Sequence, residues 1–167
     1  VPMTDIDGDG RVDVILGYLR LNGLNDLIQL ARTKVVPMEF RVHLQNKDGF
    51  PETPSFVQRT RMSLERIHLQ FDFEEMPTLI QRYVCFDGDF NGDGRRDLAV
   101  KDEADRLAIH LFDADTGRFA DRVSAELQVG RSVSLTAVKL DGDDCHDLVV
   151  RVDHRHRRVF LSGVPTG

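Results

Sequence analysis

Asp5-Ile-Asp-Gly-Asp-Gly-Arg-Val-Asp13, followed at once by Val14-Ile-Leu16, is the stretch on which the fold turns. It recurs as Asp89-Phe-Asn-Gly-Asp-Gly-Arg-Arg-Asp97 before Leu98-Ala-Val100. A looser copy runs Lys139-Leu-Asp-Gly-Asp-Asp-Cys-His-Asp147 before Leu148-Val-Val150. The copies start at Asp5, Asp89 and Lys139, so the offsets are 84 and 50 residues. A period near 50 is about the length of one four-stranded propeller blade, roughly 40 to 50 residues.

The loops have a legible chemistry. Acids or amides at positions 1, 3, 5 and 9 converge oxygens on a hard cation, a carbonyl at position 7 adds another, and glycine at position 6 permits the sharp turn. Calcium takes six to eight oxygens and suits this density of carboxylates, whereas magnesium keeps more water. The first expected site is therefore Asp5, Asp7, Asp9 and Asp13 with the Arg11 carbonyl. The second is Asp89, Asn91, Asp93 and Asp97 with the Arg95 carbonyl. In the third copy Lys139 replaces the first acid and Asp144 replaces the glycine. An ammonium there could stand in for the ion, so a site at Asp141, Asp143 and Asp147 is expected to be weak or lost.

A helix-loop-helix calcium site needs an acid at position 12 and flanking helices. Position 12 is Leu16, Val100 and Val150, each within a short apolar run of β-formers. A strand is therefore expected after each loop. This pattern of strand, D-x-D-G-D-G-x-x-D and hydrophobic strand resembles the FG-GAP/VCBS repeat family, a broad group that includes the integrin α-subunit propellers. The resemblance runs over nearly the whole chain. It departs in the third loop and in the length of the first unit. It implies an all-β fold of about three four-stranded antiparallel propeller blades, each with its calcium loop between the first two strands.

Three units follow: residues 1–72, 73–130 and 131–167. In the second, strands are expected at about 79–87, 97–101, 106–112 and 119–128, with a hairpin turn at 113–117. In the third they are expected at 133–139, 147–152 and 157–162, with no fourth strand. In the first, strands are expected at 13–20 and 38–45, then a turn at 46–50, and 56–72 as one long strand or two pieces. Residues 21–37 remain as an insertion, with Asn25 a possible cap for a short helix over 26–33. The offset of 84 is also twice 42, which leaves open a degenerate blade hidden in the first unit. A ring needs about four to eight blades. Three imply a piece of a larger propeller, a ring completed by other chains, or an open stack.

Composition narrows the class. Of 167 residues, 41% are hydrophobic and 30% charged, which excludes a disordered tail. No stretch approaches the roughly 20 apolar residues of a membrane helix. The net charge of -6, which two calcium ions would bring to -2, argues against a nucleic-acid partner. Residue 1 is Val and no signal peptide is visible, so the chain is expected to be processed or cut from something longer. Cys85 and Cys145 do not make a disulfide scaffold, and a bridge between them stays open. Asp153-His-Arg-His-Arg-Arg158 reads as a solvated turn. Its alternatives are a polyanion contact or a zinc site from His154 and His156, which lack a third ligand.

No nucleophile elbow, phosphate loop or metalloprotease helix is present in the sequence, so no catalytic residue is assigned. The expectation is a calcium-stabilised, non-catalytic binding or scaffolding module outside the cytoplasm: extracellular, at the cell surface or periplasmic. The family resemblance implies adhesion, protein–protein contact or carbohydrate contact. The alternatives are part of a carbohydrate-active enzyme of the polysaccharide-lyase type, or an accessory subunit of a larger assembly.

Overall fold

A computed structural model describes residues 3–63, 83–102, 104–130 and 134–162. The chain forms successive antiparallel sheets, each a meander of neighbouring strands. Sheet I runs β1 (Met3–Thr4), β2 (Asp13–Leu19), β3 (Val35–His43) and β4 (Phe56–Ser63), with helix α1 (Leu24–Thr33) inserted between β2 and β3. Sheet II joins β5 (Val84–Gly88), β6 (Asp97–Lys101), β7 (Arg106–His110) and, after a small hairpin, β10 (Ala125–Gln128). That hairpin pairs β8 (Phe112–Asp113) with β9 (Arg118–Phe119). Sheet III contains β11 (Ser134–Val138), β12 (Asp147–Arg151) and β13 (Arg157–Phe160). Each Asp-rich loop links the first two strands of its sheet.

Burial explains why the sheets stack. Alternate residues of a strand point to opposite faces. In sheet II, Val84, Phe86, Leu98 and Val100 join Ile15, Val36, Met38 and Phe40 of sheet I in one cluster. Cys85, Ala99, Leu107 and Ile109 join Leu135, Leu148 and Val150 of sheet III in another. Sheet II is thus covered on both sides, and every residue of β6 is buried. This is why its middle, Leu98-Ala-Val100, is a continuous apolar run and not an alternation. Phe40 meets Phe86 edge-on at 5.4 Å, and Phe56 meets Phe119 at 5.2 Å, which ties the small hairpin to sheet I.

Several expectations change. The third strand of sheet I starts at Val35, so the insertion ends at Lys34 and not at residue 37. The helix is present, but Asn25 does not cap it. Gly23 occupies the N-cap position without a side-chain bond. Asp26 instead accepts the Asn22 N–H at 2.6 Å, within the first turn. The expected strand 119–128 splits into β9 and β10, because Asp121 to Ser124 turn the chain from the hairpin back to the sheet. Residues 3–63 form one sheet with an insertion, not two blades. The expected strands over 64–72 and 79–82 lie outside the described residues. Cys85 and Cys145 are both free thiols, Cys85 being buried between sheets II and III. The described residues form an open stack and no closed ring.

Candidate metal centre

Loops 1 and 2 share one architecture, set by the acid at position 1. Asp5 accepts N–H bonds from Gly8 at 2.9 Å, Asp9 at 3.1 Å and Gly10 at 2.9 Å. Asp89 does the same with Gly92 at 2.7 Å, Asp93 at 3.2 Å and Gly94 at 2.9 Å. The carboxylate gathers three backbone donors and winds the loop around itself. At position 6, Gly10 and Gly94 take φ of 85° and 86°, where a side chain is strained. In loop 3 the residue there is Asp144, which does not adopt positive φ. With Lys139 in place of the first acid, that winding is lost. Only the Asp143 N–H to Asp141 and the Cys145 N–H to Asp143 bonds remain, at 3.3 and 2.9 Å.

Position 9 has a second duty that the motif does not announce. Asp13, Asp97 and Asp147 are each fully buried. Each spans two backbone donors. Asp13 accepts from Ile6 and Gln45, Asp97 from Phe90 and Phe112, and Asp147 from Leu140 and Ser162, all between 2.7 and 3.0 Å. The first donor of each pair is loop position 2. The second lies beyond the third strand of the sheet. These acids therefore brace loop to sheet in all three units, including the one whose first acid is missing.

Their burial perturbs them. Desolvation pushes the Asp97 carboxyl up to about 6 against the two N–H bonds, and the negative charges of Asp93 and Asp89 add to the rise. Asp13 is raised chiefly by burial, with Asp7 and Asp5 contributing, and Asp7 is raised by burial and by Asp9 and Asp5. Such a set favours a cation or a proton over three free charges.

The structure brings ligand oxygens of Asp5, Asp7 and Asp13 within 4.8 Å of one another. This cluster fits a hard, oxygen-seeking cation. Asp9 does not join it, because its carboxylate pairs with the Arg11 guanidinium. Arg11 Nε also donates to the Gln45 carbonyl at 3.2 Å. In loop 2, Arg95 stands 3.7 Å from Asp93, and Asn91 donates to Asp93 at 3.1 Å. Asp89, Asp93 and Asp97 do not close into a comparable cluster, nor do Asp141, Asp143 and Asp147. The position-7 arginines were singled out for their carbonyls. Their side chains, each paired with the position-5 acid, are the feature the motif reading missed. The i, i+2 spacing of Asp and Arg was the available signal.

The loops also touch one another. The Arg96 N–H donates to the Ile6 carbonyl at 2.8 Å, and the His146 N–H to the Asp89 carbonyl at 2.6 Å. A Cβ on Gly8 would lie 2.9 Å from the Gly94 carbonyl oxygen. His146 sits in the second junction, its Nε2 3.4 Å from Arg96, and burial with the nearby Arg96 and Lys139 charges lowers its pKa. His154 and His156 form no metal cluster, and His156 Nδ1 turns to Asp153 at 2.8 Å.

Stacked antiparallel sheets with an Asp-rich loop between the first two strands of each define a β-repeat protein. The FG-GAP-like repeat family matches residues 89–150, the span from the second loop into β12, so the chain carries an FG-GAP-like repeat there. The match is narrower than the nearly chain-long resemblance, and it leaves out the first loop despite its fuller set of acids. No curated protein matches the chain.

Proposed function

We propose that the chain is a calcium-stabilised binding or scaffolding module of the extracellular type, its sheets acting as blades of a propeller-like stack. The observation that carries this reading is the convergence of Asp5, Asp7 and Asp13 oxygens within 4.8 Å on a loop wound by Asp5. FG-GAP-like repeats are typically extracellular and generally non-catalytic, which supports the assignment. Millimolar calcium outside the cell keeps sites of modest affinity filled. In this reading Asp5, Asp7 and Asp13 hold one ion and Asp89, Asn91, Asp93 and Asp97 a second. The third loop, with Lys139, holds none. The ion's work is structural: it offsets the repulsion of clustered carboxylates and fixes the link between two strands. The stack then presents protein or carbohydrate contacts, with further blades supplied by other chains or by more of the same chain.

Calorimetric titration should count two calcium ions per chain, and Asp7→Ala should remove one of them. Calcium at one hundred times its dissociation constant should add about 2.7 kcal/mol per site to unfolding. A melting temperature that a chelator leaves unchanged would refute the proposal.

A further inference from the structure

The outer face of sheet I, turned away from sheet II, carries a concentration of guanidinium groups on an otherwise acidic chain. The register places residues on this face in rungs. Glu39 lies between Tyr18 and Arg59, and Arg41 lies between Leu16 and Val57. In the rung beyond, Pro37 pairs with Arg61 and accepts the Arg20 N–H at 2.9 Å. Among the described residues, four arginines thus share this surface with one glutamate.

Glu39 is buried and holds two of these arginines. Arg41 Nε is 2.9 Å from one of its oxygens, and Arg59 Nε is 3.3 Å from the other. The Arg41 guanidinium lies 4.6 Å above the Tyr18 ring. Two planar donors are therefore set in place before any partner arrives, which lowers the ordering cost of binding. Arg20 and Arg61 have no acidic partner among the described residues and are exposed. Among the described residues, one glutamate leaves Arg20 and Arg61 unmatched.

Helix α1 follows Arg20 in the chain, starting at Leu24 and leading into β3 at the Pro37 end of the sheet. Leu24, Leu27 and Ile28 lie on one side of it at 72%, 50% and 47% exposure, while Leu30 turns into the core. An exposed apolar stripe on the helix that follows Arg20, together with arginines and a tyrosine on the sheet, matches the composition of protein-binding surfaces. A hydrophilic polysaccharide would gain nothing from the leucines.

We infer that the outer face of sheet I together with the exposed stripe of α1 is a docking surface for a protein segment bearing both carboxylates and apolar side chains. The guanidiniums would take the carboxylates in forked contacts, and the helix would take the apolar groups. None of these residues lies in an Asp-rich loop, so this surface stands or falls apart from the calcium reading.

The test uses fluorescence anisotropy of the whole chain with a labelled glutamate-rich peptide carrying interspersed leucines, in calcium and after chelation. Saturable binding is expected in both conditions. Arg20→Gln with Arg61→Gln should weaken it about tenfold, the scale of two partly exposed charge pairs. Leu27→Ser with Ile28→Ser should weaken it severalfold. All four side chains are exposed, so melting temperatures should hold and folding failure is told apart from lost binding. Absence of saturable binding would overturn the inference, as would indifference to the arginine pair. Polygalacturonate bound as tightly as the peptide, with no effect of the helix substitutions, would also overturn it and assign the face to acidic polysaccharide.

Discussion

At the scale of single residues, the position-9 acids separate bracing from ion binding. Asp147 makes the same two backbone bonds as Asp13 and Asp97, in a loop that has lost its first acid. Asp147→Ala removes a buried acceptor from two partly buried backbone N–H bonds, to Leu140 and Ser162, so it should destabilise the fold by about 1 kcal/mol. Denaturant unfolding should show the same loss with calcium or with chelator. Asp97 supplies a pH test. Its folded carboxyl keeps the proton up to about pH 6, against 3.8 for an ordinary aspartate. The stability that this proton contributes is full below the lower value and is lost as pH rises through the higher one. Calcium-free protein should therefore melt at a higher temperature at pH 5 than at pH 7. Calcium, which needs the ionised form, should raise the melting temperature more at pH 7. Parallel thermal scans with and without chelator check both signs.

At the scale of the element, each loop is held by its neighbour as well as by its own strands. A methyl group on Gly8 would press on the Gly94 carbonyl at 2.9 Å, from a residue at φ 75°. Gly8→Ala should cost about 1–3 kcal/mol through backbone strain and should displace loop 2 as well as loop 1. Loss of the Arg96 amide's protection from hydrogen exchange would report the displacement. The strands that follow the loops were legible because Val-Ile-Leu, Leu-Ala-Val and Leu-Val-Val are apolar runs with a turn in front. The expected strand 97–101 matches β6 to the residue. The helix was legible as a break in β-patterning, but its start was not. Asn25 looks like a cap, and only the three-dimensional turn shows Asp26 bonding Asn22 instead. The divided fourth strand of sheet II was illegible for a similar reason. Phe112 and Phe119 seek the core of sheet I, a partner far away in sequence. In the candidate site, the acids were legible from spacing alone. Their bracing bonds to Gln45, Phe112 and Ser162 were not, since backbone amides carry no sequence signal.

At the scale of the molecule, sheet II is the centre and its two faces are different cores. Among the described residues, four phenylalanines are buried in the junction with sheet I, whereas Phe90 is the one buried phenylalanine of the junction with sheet III. The three loops line up along one end of this stack. Two backbone bonds, Arg96 to Ile6 and His146 to Asp89, run through them like rivets. Ile6 sits between Asp5 and Asp7, and Arg96 sits beside Asp97, so each end of the first bond belongs to a different one of the two proposed calcium loops. Ordering one loop then pre-orders the next, and the second ion meets a smaller entropic penalty than the first. The sites would fill cooperatively, with a Hill coefficient above one, and the end of the stack would set as a unit across a narrow range of calcium concentration.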